Sequence, residues 1–465
     1  MILGWSSAGL LCRLMSQRPA VRRQIDIIIS SAYYRHIMGP SHSPGRSEWE
    51  HRIFAVDADP SLGYHESFYF TALANKDGVS SPATSNEWPM LTQGVTALSV
   101  CVTDPHPVSA ARLHRSLGQQ LAQILSGTHH VLKLLSYLPQ DPHHSLLRGF
   151  FICDPQNCNN TWHKLKHLLC EHRQHITSFT HRQEPRGEIW QNVLELNGGE
   201  QETGGRWPLV RVGEPQPSPF ALNILHSAVF YSLSSARSVL LQCSEWIPEA
   251  TRIVELLDKC DTGTKKGHFP VIVIEGLDAT GKSTLTESLK DCLKATLLRS
   301  PPDCISKWRK TFDDEPSLIK RAYYAAGNYV GACEIAKASM DSPVIVDRYW
   351  HSTAAYAIAT EIGGSIHSLP PCHHDVYQWP RDLLRPDLVI LLTVSDEERM
   401  RRMHGRGLEE TKEEKELESN TMFRQKVEEA YKRIENPRCV IIDASPTKET
   451  VLKETLNVIR KHCAI

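Results

Sequence analysis

The chain has no uninterrupted apolar run of about 18 residues, so it offers no membrane-spanning helix of ordinary length. It also lacks a dominant charge. Its 52 basic residues stand against 53 acidic ones, a formal net charge of -1, so no global field draws it to nucleic acid or to an anionic membrane. Any nucleotide site must therefore be local. Cysteine is spread thinly: 13 residues, an odd number, run from Cys12 to Cys463 without a Cys-x-x-Cys and without the regular density of a secreted disulfide scaffold. Free thiols in a reducing compartment fit that usage. The N-terminal half shows no internal repeat. What the chain does have is length, 465 residues at 41% hydrophobic content, enough to bury large cores in two to three domains.

The first acidic residue is Asp26. Before it come Arg13, Arg18, Arg22 and Arg23, several serines, and Leu10, Leu11 and Leu14 able to share one helical face, a composition that suits a mitochondrial transit peptide. The plainer reading is a disordered start. A secretory signal is disfavoured, because Met1–Leu11 is broken by Ser6 and Ser7 and has no basic region before it. Residues 1–45 are accordingly set apart as leader and junction.

Residues 46–260 read as an irregular α+β domain. Short strands are predicted at Arg52–Val56, Val95–Val102, Val131–Leu138, Gly149–Ile152 and Leu209–Val212. Helices are predicted at Ser109–Ile124, Thr161–His172, Ser234–Trp246 and from Pro248 to about Lys259. No catalytic signature appears there. Cys153, Cys158, His163, His167 and Cys170 crowd together, the last three at i, i+4, i+7 on one helix face, but the spacing is not that of a standard zinc site. The polar segment 261–268 reads as a linker, which predicts that 269–465 is a domain able to fold alone.

Beyond it the pattern changes. β-Branched runs at 271–274, 343–347, 388–394 and 439–443 alternate with amphipathic helices, which calls for an α/β domain with a parallel sheet between helices. The first run feeds Gly276-x-x-x-x-Gly281-Lys282-Ser283 and then a helix with Leu285, Leu289 and Leu293 on one side. That order is the phosphate-binding P-loop: glycines let backbone N–H groups turn inward, the lysine reaches β and γ phosphates, and the serine hydroxyl is placed for Mg²⁺. A glycine-rich turn that binds nothing is the bland alternative, and it rarely carries all four fixed residues with both flanks.

Asp347-Arg348-Tyr349 closes a second apolar strand, at the sheet edge where such folds bind ligands. The carboxylate suits Mg²⁺ or its water, and the arginine can fork onto phosphate. A structural ion pair is the competing reading. Arg399, Arg401 and Arg402 run into Gly405-Arg406-Gly407, as cations on a lid with glycine hinges would, although the next stretch, Glu409–Glu418, is a solvated face.

Taken in order, Gly276–Ser283, Asp347-Arg348-Tyr349, Arg385-Pro-Asp-Leu-Val-Ile-Leu-Leu392, the arginine segment and Ile442-Asp-Ala-Ser445 resemble the thymidylate kinase family over about 269–465. Trp308–Pro316, Asp347–Thr353 and Tyr377-Gln-Trp-Pro380, together with the unrelated N-terminal half and the leader, resemble its mitochondrial branch. The resemblance implies a pyrimidine nucleoside monophosphate kinase using ATP and Mg²⁺, acting on UMP, CMP, dUMP or dCMP for mitochondrial nucleotide salvage. It implies catalytic roles for Lys282, Asp347, Arg348, Arg402 and Arg406, and ATP binding by Gly276, Leu277, Asp278, Ala279, Thr280, Gly281, Lys282 and Ser283, with Asp443, Ala444 and Ser445 passing the donor base. On the acceptor side it implies Asp278, Arg299, Asn328, Tyr329 and Arg348, and for the metal Ser283 and Asp347. Small nucleotides are then the partners, with no nucleic acid and no membrane insertion, and a homodimer is compatible with the family.

Two departures bear on substrate and mechanism. Asn328-Tyr329 stands where thymidylate kinases commonly carry Asn-Arg, the arginine that reads thymine. Ala279 and Thr280 occupy the P-loop where some members place a catalytic arginine, so the lid must supply that charge. Thymidylate phosphorylation, secondary nucleoside diphosphate kinase activity, a nucleoside kinase and a nucleotide-binding regulator in innate immunity stay open at this point. A GTPase is disfavoured by the lack of an Asn-Lys-x-Asp motif in the C-terminal half.

Overall fold

A computed structural model describes residues 46–72, 96–125, 130–154, 159–194, 205–260, 265–404 and 420–463. The leader lies outside the described residues.

The N-terminal strands are β1 (Ile53–Val56), β2 (Phe68–Ala72), β3 (Thr96–Val102), β4 (His130–Tyr137), β5 (Leu147–Asp154), β6 (Ile176–Gln183), β7 (Ile189–Val193) and β8 (Arg206–Val212). They close into an antiparallel barrel of order β1-β2-β8-β7-β6-β3-β5-β4. Closure falls on β1, where Ile53 stands opposite Thr71 on one side and Tyr137 on the other. Alternation along each strand sends one set of side chains inward. Phe54, Phe70, Phe151 and Phe179 fill the interior, with Phe54 and Phe70 stacked at 5.0 Å. Leu98, Val100 and Val102 point outward, under helices α1 (Pro107–Ile124) and α2 (Asn159–Glu171). The predicted mix of strands and helices is therefore present, and its irregularity resolves into a barrel with helices on its outer wall. Cys153 is one of the inward side chains, Cys158 lies outside the described residues, and the exposed His167 pairs with Glu171 at 3.4 Å. Among the described residues no group of three or more His, Cys, Asp or Glu could hold a metal.

Three helices follow: α3 (Pro219–Ser227), α4 (Leu233–Cys243) and α5 (Pro248–Leu257). Next come β9 (Val271–Gly276), α6 (Lys282–Leu293), β10 (Thr296–Arg299), α7 (Asp303–Ser306), α8 (Arg309–Asp313), α9 (Ser317–Ala338), β11 (Val344–Asp347), α10 (Trp350–Glu361), β12 (Leu388–Thr393), α11 (Asp396–His404), α12 (Thr421–Arg433), β13 (Cys439–Asp443) and α13 (Lys448–His462). The five strands form a parallel sheet, β10-β11-β9-β12-β13, with β9 at its centre and every β9 residue buried, as a continuous apolar run demands.

Helices α3–α5, which precede the polar 261–268 segment in sequence, share their core with the sheet domain. Ala236, Val239 and Leu240 of α4 and Ile253 and Leu257 of α5 lie in one buried cluster with Ala322, Ala326 and Val330 of α9 and Ile358 of α10. Each fully buried valine, leucine or isoleucine side chain among them is worth about 1.5–3 kcal/mol relative to exposure, and each alanine methyl less.

Candidate functional site

The site is built where β9 ends. Gly276 has φ 144°, and a Cβ there would stand 2.6 Å from the Leu392 carbonyl oxygen, so only glycine passes between β9 and β12. Ala279 and Gly281 also have positive φ, 67° and 91°, and Gly281 caps the start of α6. For Ala279 that conformation is strained, as residues in ligand-holding turns often are. The Thr280 hydroxyl donates to the Leu277 carbonyl at 2.8 Å and pins the loop across itself.

Lys282 is buried. Its Nζ donates to Leu277 O at 2.6 Å and lies 3.9 Å from Asp278 Oδ1. Burial, and next the neighbouring Arg348 charge, push its pKa down to about 7, against the partial support of Asp278, Asp347 and Glu275. A cation held in that condition gains from any phosphate brought to it.

Asp347 ends β11, beside β9. The Ser283 hydroxyl reaches its Oδ2 at 3.5 Å, while Oδ1 is buried with no hydrogen-bond partner. An unsatisfied buried carboxylate oxygen next to a hydroxyl is a pair of hard oxygen donors, a set that fits Mg²⁺.

Arg348 follows with φ 66°, a second strained residue in the site. Its Nη1 donates to Gly276 O at 3.0 Å and to Ser352 Oγ at 3.3 Å, and its Nη2 to Asp278 Oδ1 at 2.5 Å. Glu275, which the sequence reading did not single out, holds this turn from below. It is fully buried, and its Oε1 accepts from the backbone N–H of Tyr349 at 2.8 Å and of Ser352 at 3.3 Å, which makes it the cap of α10 delivered from another strand. Its Oε2 accepts from the Ser352 and Tyr431 hydroxyls. Burial pushes its carboxyl pKa up, and the Ser352 bonds, the Arg348 charge and the Tyr349 N–H oppose the shift. The only signal for it in the sequence is one acid at the end of an apolar strand.

On the acceptor side, Asn328 is buried in α9, accepts from Ser300 Oγ at 3.1 Å and donates to Thr353 Oγ1 at 3.0 Å. Tyr329, one residue further round the helix, turns to another neighbour: its hydroxyl donates to Asp382 Oδ1 at 2.6 Å, and Asp382 also receives the Leu233 N–H that opens α4. Arg299 stands beside Asp347 in the β10–β11 register, with its guanidinium exposed and 3.4 Å from Glu287.

The arginines of α11 divide by face. Arg401 points outward to Glu398. Arg402 donates to Glu398 at 2.6 Å, Thr280 O at 3.5 Å and Ala444 O at 2.8 Å, tying the P-loop to the loop after β13. Asp443, the last residue of β13, accepts through Oδ1 from the Ser445 N–H and hydroxyl at the start of that loop. Arg399 is buried; its Nε donates to Asp278 O at 3.2 Å, and both Nη atoms are buried without a partner. The i, i+3 spacing of Arg399 and Arg402 is the feature that puts both against the P-loop. Gly405, Arg406 and Gly407 lie outside the described residues.

A family model described as thymidylate kinase matches residues 274–455. The human protein named UMP-CMP kinase 2, mitochondrial, is 50% identical over 357 residues, covering 76% of this chain and 79% of its own. A probable thymidylate kinase of the archaeon Methanosphaera stadtmanae is 27% identical over 41% of this chain and 97% of its own. The solved thymidylate kinase of Candida albicans is 23% identical over 42% of this chain and 92% of its own, with a TM-score of 0.32. Half-identity across most of a curated kinase, with the family model lying over the segment that holds the P-loop and Asp347-Arg348, places this chain in the thymidylate kinase family as a nucleoside monophosphate kinase.

Proposed function

We propose that the enzyme moves the γ-phosphoryl group of ATP onto UMP, CMP, dUMP and dCMP, with Mg²⁺ and in the mitochondrion. The observation that carries this reading is the convergence at the P-loop of Lys282, Arg348 and the half-satisfied Asp347 carboxylate, two basic groups and a metal-type ligand. Phosphoryl transfer asks the protein for position and charge and for little covalent work. Lys282 and the Arg348 fork bind phosphate oxygens. Asp278, held by Arg348, faces the acceptor sugar. Arg402 keeps the P-loop and the Asp443–Ser445 donor loop in register, and Arg406 completes the lid. Ser283 and Asp347 would hold Mg²⁺, which would supply positive charge against that developing on the transferring phosphate.

The acceptor choice rests on Asn328 and on the printed name of the human relative. The Asn328 amide sits between two hydroxyls, Ser300 and Thr353, each able to donate or accept. Uracil and cytosine differ at position 4 by acceptor against donor, and such a trio can reverse its bonds to suit either. The mitochondrial address rests on the same relative and on the arginine-bearing, acid-free stretch before Asp26. A panel of nucleoside monophosphates with ATP and Mg²⁺ tests the reading: CMP and UMP should outrun dTMP and all nucleosides, and a preference for dTMP would refute the acceptor assignment.

A further inference from the structure

Helix α10 begins two residues after Arg348, and its other end is held by the barrel. We infer that the N-terminal barrel takes part in catalysis as a fixed clamp on the C-terminal end of α10, and through that helix sets the position of Arg348; this rests on the reading of Arg348 as a phosphate-binding group. The clamp has two jaws of opposite polarity, side by side. The Asp57 N–H donates to Lys133 O at 3.0 Å, which continues the β1–β4 ladder to the barrel rim. From that rim the Asp57 carboxylate accepts the Gly363 N–H at 3.0 Å, and Lys133 Nζ donates to Thr360 O at 3.1 Å. A negative group thus meets a backbone donor, and a positive group meets a carbonyl at the helix C-terminus, where a cation is favoured.

The fit is close. A Cβ on Gly363 would stand 2.4 Å from Ala58 O and 2.6 Å from the Asp57 carboxyl. The buried Asp57 is braced by the Ala58 N–H at 2.9 Å and the Ser67 hydroxyl at 3.3 Å. Glu361, the last residue of α10, accepts from Asn223 at 2.8 Å and from Ser317 at 3.0 Å, and Asn223 is in turn held by Arg148 of β5 at 2.8 Å. Burial alone would raise the Glu361 carboxyl. The Lys133 and Arg148 charges, both from the barrel, with the Ser317 hydroxyl and Arg321, more than reverse this and keep it ionised. Arg321 also donates to Thr360 Oγ1 at 3.2 Å, and Lys426 to Ile362 O, so the helix end is gripped from the kinase side as well.

At its other end the same helix is capped by Glu275, and Arg348 bonds to Ser352 in its first turn. A helix of 12 residues is a rod of about 18 Å. Displacing one end tilts or shifts the other, and a misplacement of about 1 Å in a catalytic group can cost about a hundredfold in rate. The barrel is therefore a positioning element, with Asp57 and Lys133 as positioning residues.

The test uses the full chain carrying Gly363→Ala, which wedges the rim off the helix, or Asp57→Ala with Lys133→Ala, with Lys133→Arg as the conservative control. Two quantities are read at a temperature where circular dichroism shows every variant folded. The first is backbone amide exchange at 349–352, which needs no substrate; it should quicken in the wedge and the double variant and stay at the wild-type rate in Lys133→Arg. The second is kcat for CMP per folded molecule, which should fall about tenfold, with KM for ATP within about twofold of wild type. A lowered Tm with unchanged exchange at 349–352 and unchanged kcat per folded molecule would overturn the proposal, leaving the barrel a stabilising neighbour only. If wild type turned over no monophosphate, the functional reading would fail, while amide exchange would still decide the coupling.

Discussion

Arg348 Nη2 lies 2.5 Å from Asp278 Oδ1, a bond that joins the residue after β11 to the middle of the P-loop. The same guanidinium reaches Gly276 O and Ser352 Oγ, so one planar group spans three partners in fixed directions. A lysine retains the charge and cannot reproduce the fork. Arg348→Lys should therefore lose about a hundredfold in kcat/KM for CMP, nearly as much as Arg348→Ala, while ATP affinity measured by calorimetry changes little. Near-complete rescue by lysine would show that charge alone matters there.

Lys282 supplies a pH signature. Its folded-state pKa of about 7 lies below that of an exposed lysine, so the charged form is disfavoured in the free enzyme. Between about pH 7 and the ordinary lysine range near 10.4, the unfolded chain binds the proton that the folded one has released, so this group makes stability rise with pH across that window. Phosphate binding needs the proton back. The profile of kcat/KM for ATP should bend downward above about pH 7, with ATP binding at pH 8 taking up a proton measurable as a buffer-dependent heat. Binding heat independent of the buffer would contradict this.

The α11 arginines make a contrast. Both Arg399 Nη atoms are buried without partners, whereas Arg401 forms an exposed pair with Glu398. A buried guanidinium whose two Nη atoms lack partners is costly unless an anion meets it during turnover. Arg399→Ala should reduce kcat about tenfold to a hundredfold, and Arg401→Ala should leave it within about twofold. Equal effects of the two substitutions would count against a role for Arg399.

Truncation probes the shared core. Cutting at residue 269 strips α3–α5 from α9 and α10 and exposes Ala322, Ala326, Val330 and Ile358, residues now buried. We expect 269–465 to aggregate and a chain starting near residue 214 to remain soluble, because it keeps those helices. Monodisperse, folded 269–465 in size-exclusion chromatography would show that the helices are dispensable.

These relationships differ in how far they can be read from sequence. The P-loop and Asp347-Arg348 are legible because each is a short, fixed pattern at the end of a β-branched run, and such runs also reveal the parallel sheet. The barrel is not legible in this way. Its β6, Ile-Thr-Ser-Phe-Thr-His-Arg-Gln, places Ser178 and Thr180 on one buried face and His181 on the other, so polarity does not alternate with burial. Its closure joins Ile53 to Tyr137, far apart in the chain. Helix α3 is hidden because its opening Pro219 reads as the end of a proline- and glycine-rich loop, although proline is well suited to the first turn of a helix. Glu275 depends on tertiary neighbours, Ser352 and Tyr431, that no local pattern announces, whereas Arg399 is visible as one of a run of arginines but its burial against Asp278 is not.

Activity as a kinase for UMP and CMP is decided by initial rates with ATP and Mg²⁺ on CMP, UMP, dCMP, dUMP, dTMP, AMP, GMP and cytidine. Diphosphate should form from the uracil and cytosine monophosphates, with at least about tenfold higher kcat/KM for CMP than for dTMP, no product from cytidine, and loss of all activity in Lys282→Ala. A protein that prefers dTMP, or that keeps its activity in Lys282→Ala, would contradict it.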